Sequence, residues 1–246
     1  MERREKRLMQ KLMSVMRAAM ERYDMIQPGD RIAVGVSGGK DSVTLLTAMA
    51  EMRRFYPVAY ELEAVTLDMG FGGDDYRELR ELCRRLRVPY TIRSTDIGPI
   101  IFQTRREDNP CSLCARMRRG ALHDAAKELG CNKVALGHHL DDAVETFYMN
   151  LLNGGRIGCF QPVTYLSRKG LTMIRPMVLA FERDVIRACR KRNLPVAKSA
   201  CPVDGATDRQ KIKELIRALE KDYDRLRIKT LGAMQRAGID GWGGTE

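Results

Sequence analysis

Three short stretches of this chain hold more reactive groups than a scaffold needs. The first is Ser37-Gly38-Gly39-Lys40-Asp41-Ser42, which gathers two hydroxyls, an ammonium, a carboxylate and two glycines. Without a Cβ at 38 and 39, backbone N–H groups can approach a ligand closely. Lys40 adds a point charge, and Ser37 and Ser42 can donate hydroxyl hydrogen bonds. With a helix N-terminus directly behind, this set suits an anion, phosphate above all. It is not a Walker A loop. Gly35 to Gly39 is one residue too short for G-x-x-x-x-G-K, and Asp41 stands where Ser or Thr would hold magnesium. Nor does it spell G-x-G-x-x-G.

The second stretch is Pro110-Cys111-Ser112-Leu113-Cys114, with Ala115-Arg116-Met117-Arg118-Arg119 opening a helix behind it. The proline is expected to set Cys111 on extended or turn backbone. A C-x-x-C pair lets both sulfurs reach one metal or one another. A closed zinc site wants four ligands, and one pair is too few. Cys201, flanked by Pro202 and Gly205, is the best third ligand, and three thiolates suit an iron–sulfur cluster with one iron left open. Cys83, Cys131, Cys159 and Cys189 read as small buried residues.

The third is Leu136-Gly137-His138-His139-Leu140-Asp141-Asp142. Successive side chains at a strand end diverge, so His138 and His139 do not share one metal. Gly137 lets the backbone beside His138 approach a ligand, and Asp141 and Asp142 can assist a cation or the helix N-terminus. Asp141 reads equally as an N-cap. His123, within a helix, is given no role.

Periodicity supplies the elements that must position these groups. Helices are expected at 1–26, 42–55, 74–87, 115–129, 141–152, 181–192 and 208–227, and strands at 31–36, 61–68, 90–93 and 134–136. Strand and helix alternate, the pattern of an α/β fold with a doubly wound parallel sheet covered on both faces. In such sheets ligands sit at the carboxyl ends of strands, where residues 37–42, Asp68 and Gly137-His138-His139 all lie. From about residue 160 the pattern loosens. The stretch 238–244 reads as mobile unless Trp242 anchors it. The expected division is a basic amphipathic helix (1–27), an α/β domain that carries the glycine loop (28–200) and a late loop, helix and tail (201–246).

The bulk numbers narrow the function classes. At 246 residues and 44% hydrophobic content, one sizeable core is expected. No apolar run is long enough to span a membrane. Residues 1–7 lack the apolar segment of a signal peptide, so a cytoplasmic protein is expected. Seven cysteines in such a chain argue against a disulfide framework. A net charge of +11 suits a polyanion such as RNA.

Residues 37–42 resemble the PP-loop of ATP pyrophosphatases, enzymes that split ATP between its α- and β-phosphates and adenylate a carbonyl oxygen. Taken in order, that loop, Cys-Ser-Leu-Cys-Ala-Arg-Met-Arg-Arg-Gly (111–120), residues 136–142 and Cys201 are similar to the tRNA 2-thiocytidine synthetase family. This is the iron–sulfur branch of the PP-loop tRNA thiolases, and the similarity runs from about residue 8 to about 235. It implies a sheet of the PP-loop ATP pyrophosphatase type with an N-terminal helix and a helical C-terminal extension. It also implies ATP, Mg2+ and a 4Fe-4S cluster held by Cys111, Cys114 and Cys201, with Asp41 joining these cysteines in catalysis. The implied nucleotide site comprises Ser37, Gly38, Gly39, Lys40, Asp41, Ser42, Leu67, Gly137, His138, Asp141 and Asp142. The implied partners are tRNA and a sulfur donor such as a cysteine desulfurase or free sulfide, with no membrane, and the chain is expected to be a homodimer.

One departure bears on the substrate. The family's late motif usually has a C-x-x-C arrangement, whereas Cys201 is followed by Pro202-Val203-Asp204, which leaves the RNA target open. Uridine-specific relatives carry zinc-finger cysteine pairs at their ends, and none occurs here, which favours the cytidine branch. Two alternatives stand beside this reading. One is a sulfur-free PP-loop ligase such as a tRNA lysidine synthetase. The other is an iron–sulfur RNA-binding or redox protein without enzymatic activity.

Overall fold

The computed structural model describes residues 2–72, 75–105, 110–197 and 208–244. Strand and helix alternate as the periodicity predicts, through α1 (Glu2–Arg22), β1 (Asp30–Gly35), α2 (Lys40–Met52), β2 (Tyr60–Asp68), α3 (Arg77–Leu86) and β3 (Tyr90–Ser94). A single turn, α4 (Ile97–Pro99), continues as a π-helix (Ile100–Arg105). Then come α5 (Pro110–Glu128), β4 (Lys133–Ala135), α6 (Leu140–Gly154), β5 (Val163–Leu166), β6 (Leu171–Ile174), α7 (Glu182–Lys191), α8 (Asp208–Leu219) and α9 (Leu226–Arg236).

The sheet runs β3-β2-β1-β4-β6-β5, parallel throughout except for β5 against β6. Alternation along β1 divides its side chains between two faces. Ile32 and Val34 join the larger core, which includes α1, α2, α6 and α7, while Ala33 joins a smaller one beneath α5 with Val65, Leu122, Ala126 and Val134. The larger core holds α2 so firmly that ten of its residues are buried, which fixes its N-terminus against the end of β1. Helix α1 buries Met9, Leu12, Met16 and Met20 at four-residue spacing and packs on α7 and α2. Among the described residues no helix is long and apolar enough to cross a membrane.

Four expectations change. The C-x-x-C pair lies inside the first turn of α5, not on a turn before it, because Pro110 takes the first helical position, where its missing N–H costs nothing. Residues after 160 form an antiparallel hairpin whose turn ends at Gly170, with φ 61°. Its four-residue strands are too short to show a period. The single helix expected over 208–227 is two, α8 and α9, separated where Arg225 turns left-handed at φ 55°. Trp242 is fully buried, so the late segment is anchored at that residue.

Candidate functional site

Glycine and serine chemistry shape the loop between β1 and α2. Gly38 has φ 79°, a conformation strained for any residue with a Cβ. The Ser42 hydroxyl accepts from Ser37 N–H (3.1 Å) and donates to Gly39 O (2.9 Å). The two serine hydroxyls lie 3.2 Å apart. The Thr66 hydroxyl donates to Val36 O from the neighbouring strand at 2.6 Å. The serines thus brace the loop itself. No side chain caps α2 at Gly39, which leaves its first-turn N–H groups to an anion.

Charge is concentrated at the next residues. Lys40 Nζ lies 2.8 Å from Asp41 Oδ2 and 3.2 Å from Glu182 Oε1 at the start of α7. Lys213 Nζ approaches the other Glu182 oxygen at 2.7 Å. Burial alone would raise the Glu182 carboxyl, but the hydrogen bonds and charges of Lys213 and Lys40 outweigh it and hold it at about 2. Burial likewise pushes Lys40 down, and Asp41 and Glu182 more than compensate, leaving it raised. The remaining Asp41 oxygen, Oδ1, is buried with no hydrogen-bond partner among the described residues.

Residues 136–142 end β4 and open α6. His139 is the N-cap: its Nδ1 accepts from Asp142 N–H (3.3 Å), and Asp142 Oδ2 accepts from His139 N–H (2.9 Å). An accepting Nδ1 puts the neutral ring's proton on Nε2, which lies 3.9 Å from Asp41 Oδ1. Asp141 is not the cap of its own helix. Its carboxylate accepts from Glu182 N–H at 2.6 Å and pairs with Arg227 at 2.9 Å.

A cavity of about 1720 Å³ opens at the carboxyl ends of the strands. Of the expected residues, Ser37, Gly39, Lys40, Asp41, Ser42, Leu67, Gly137, His138, Asp142 and Cys114 line it. Gly38 and Asp141 are not among its lining residues, and Cys111 is exposed beside it. Cys201 lies outside the described residues. Gly137 is small for a reason: a Cβ there would lie 3.1 Å from the Asp41 carbonyl carbon and 3.2 Å from Ser42 N. Burial, and then the charge of Arg175, push His138 down to about 4, so its ring is neutral. The ring lies 5.1 Å from that of Phe160, with Nδ1 buried and unpartnered among the described residues.

Helix α5 forms the opposite wall with Cys114, Arg118, Arg119, Leu122 and His123. Leu122 reaches the end of β1, 2.9 Å from where a Gly35 Cβ would sit. Eight residues separate it from Cys114, so that thiol stands roughly 12 Å further along the helix. His123 is buried, its Nε2 has no partner among the described residues, and burial lowers it. Sequence reasoning set His123 aside, although its four-residue spacing from Arg119 puts both on one side of the helix. Glu182 was missed altogether. Its only local signal is an acidic residue opening a helix. Among the described residues no group of three or more His, Cys, Asp or Glu side chains is placed to hold a metal ion.

Comparison with known proteins matches this geometry. The PP-loop domain family model matches residues 4–219. A tRNA-cytidine(32) 2-sulfurtransferase from Citrifermentans bemidjiense is 40% identical over 219 residues, covering 88% of this chain and 86% of the relative. One from Geobacter sulfurreducens is 40% identical over 227 residues, covering 91% and 88%. The solved U34-tRNA thiolase NcsA from Methanococcus maripaludis, described with its 4Fe-4S cluster, superposes with a TM-score of 0.79. It is 23% identical, covering 98% of this chain and 81% of that one, a likeness of fold.

Proposed function

This chain belongs to the PP-loop family and, within it, to the tRNA-cytidine 2-sulfurtransferases, and from that premise we propose that it adenylates the 2-carbonyl of an anticodon-loop cytidine and exchanges that oxygen for sulfur. It is a tRNA-thiolating transferase with an ATP-binding PP-loop. The observation that carries the finer reading is that the 37–42 loop and Cys114 line one cavity from opposite walls.

ATP lies over the loop, with its phosphates at Lys40 and the uncapped first turn of α2. To reach them, Lys40 exchanges its contact with Glu182 for phosphate oxygens, while Glu182 stays paired with Lys213. The orphaned Asp41 Oδ1 fits a cation, and Asp41 with Asp142 would hold Mg2+, which neutralises charge as pyrophosphate leaves. The cytidine O2 attacks the α-phosphorus, forming a P–O bond as the bond to pyrophosphate breaks. A sulfide nucleophile then adds at C2. The C–S bond forms, the C2–O bond breaks, and AMP departs with the oxygen.

A 4Fe-4S cluster fits the donor set. Two thiols share the first turn of α5, Cys114 facing the cavity and Cys111 exposed beside it, and Cys201 is the third proposed ligand. When bound, the cluster supplies an iron position open to sulfur. The protein's own part is to hold the adenylated base between Lys40 and Cys114 and to keep His138 neutral beside it. The +11 charge suits tRNA, and contacts from Arg118 and Arg119 would position the RNA without choosing its base. Sulfur arrives from an external donor, a cysteine desulfurase or free sulfide. The working place is the cytoplasm and the working form a homodimer.

The test is anaerobic purification with iron, sulfide and absorbance measured on wild type, Cys114→Ala and Cys201→Ala. About four irons per chain are expected in wild type, lost in both variants together with tRNA thiolation. A colourless wild type that still consumes ATP on tRNA would overturn the cluster and favour a sulfur-free ligase.

A further inference from the structure

We infer that Trp242 is a positioning residue for the nucleotide, acting through Phe160 on His138. The inference rests on the reading of His138 as part of the nucleotide wall. It concerns a segment, 239–243, that has no lining residue in the cavity.

The geometry is a series of neighbouring rings that begins at buried Tyr23 and ends at the cavity. Tyr23 at the end of α1 meets Trp242 edge-on, with ring centroids 6.1 Å apart at 82°. Trp242 lies 6.2 Å from Phe160, and Phe160 lies 5.1 Å from His138, which lines the cavity. Rings at these separations carry geometric preference as well as buried area. Hydrogen bonds fix the register of the series. Trp242 Nε1 donates to Phe160 O at 2.9 Å, and the Cys159 N–H donates to Asp240 Oδ2 at 2.7 Å. Tyr23 Oη donates to Trp242 O at 3.3 Å. The guanidinium of Arg175, 4.8 Å above the Phe160 ring, closes the other side.

Among the described residues, His138 itself has no comparable restraint from polar partners. Its Nδ1 is buried and unpartnered among the described residues, and His139, not His138, caps α6. Packing against Phe160 is therefore what orients the imidazole, and Phe160 is held from behind by Trp242. The indole contributes shape and one hydrogen bond to the backbone of Phe160. Phenylalanine at 242 would keep the first and lose the second.

The experiment uses the full chain, with a non-hydrolysable ATP analogue titrated calorimetrically and thiolation kinetics measured in parallel. Trp242→Ala is expected to weaken analogue binding and raise KM for ATP roughly tenfold, below the hundredfold that misplacing reacting atoms by 1 Å can cost. Its kcat at saturating ATP should fall less than about threefold. Trp242→Phe should recover affinity to within about threefold. Asp240→Ala, which removes the bond to Cys159 N–H and sets Ala on left-handed backbone at φ 47°, loosens the same segment, is expected to weaken binding in the same direction and covers the case in which Trp242→Ala does not fold. His138→Ala calibrates the site. If His138→Ala weakens the analogue while folded Trp242→Ala and Asp240→Ala bind like wild type, the inference fails and the nucleotide reading stands. If neither His138→Ala nor Lys40→Ala changes binding, the nucleotide reading fails, and the inference with it. A Trp242→Ala defect confined to kcat also overturns it.

Discussion

At the 37–42 loop, two serines bond to each other and to the backbone, and Lys40 lies between two carboxylates. At the facing first turn of α5, Cys111 is exposed and Cys114 only partly buried. The first wall has its shape before any ligand arrives, since bracing bonds and a buried helix fix where an anion must sit. On the proposed reading, the second would take its final order from the cluster that its thiols hold. Preorganised dipoles at the phosphates cost no reorganisation during reaction, whereas a soft-metal site gains its order from the metal–sulfur bonds themselves. The two walls should therefore fail independently when damaged.

Lys40→Ala gives the largest expected effect. If Lys40 stands over the leaving pyrophosphate as proposed, removing its charge should lower kcat by about 10²–10³-fold and leave the iron content at the wild-type level. Parallel turnover and iron assays check this, and a loss of iron in the variant would break the separation between the walls. Glu182→Gln sharpens the comparison from behind the loop. With the carboxyl at about 2 against an ordinary 4.5, its folded value is depressed. It therefore contributes stability above its unfolded value and loses it as pH falls from about 5 to 2. The gap corresponds to at most about 3 kcal/mol. Denaturant unfolding of wild type and variant should show the largest, pH-independent difference above that window, and the difference should shrink as pH falls through it. Gly38→Ala should be the mildest. A left-handed φ of 79° and a new Cβ 3.0 Å from that of Ala197 predict a cost of about 1–2 kcal/mol. A melting temperature lower by roughly 3–6 °C in calorimetry is the expected reading.

Local signals carried a large share of this protein. Residues 31–42 announce strand, glycine turn and helix because each requirement is met within a few residues: an apolar run, two glycines, a helix former. The same holds for alternation into a parallel sheet, for the apolar stripe of α1, and for a cysteine pair joined to a helix start. Where the signal was short or ambiguous, the reading slipped. Four-residue strands β5 and β6 have no measurable period, and the apolar face over 208–227 continued across a break that only the backbone at Arg225 reveals.

The sequence by itself determined which groups exist that could hold phosphate and sulfur, and that an α/β sheet would carry them at its strand ends. Only the tertiary structure decided which of those groups meet. It turned Asp141 away to Arg227 and the start of α7, brought Glu182 to Lys40, put His123 in the cavity wall, and buried Trp242 behind Phe160. The reason is physical. A turn or helix start depends on the conformational preferences of adjacent residues, which the sequence spells out. An ion pair or ring contact between distant positions depends on how the sheet orders its strands and how its faces are covered.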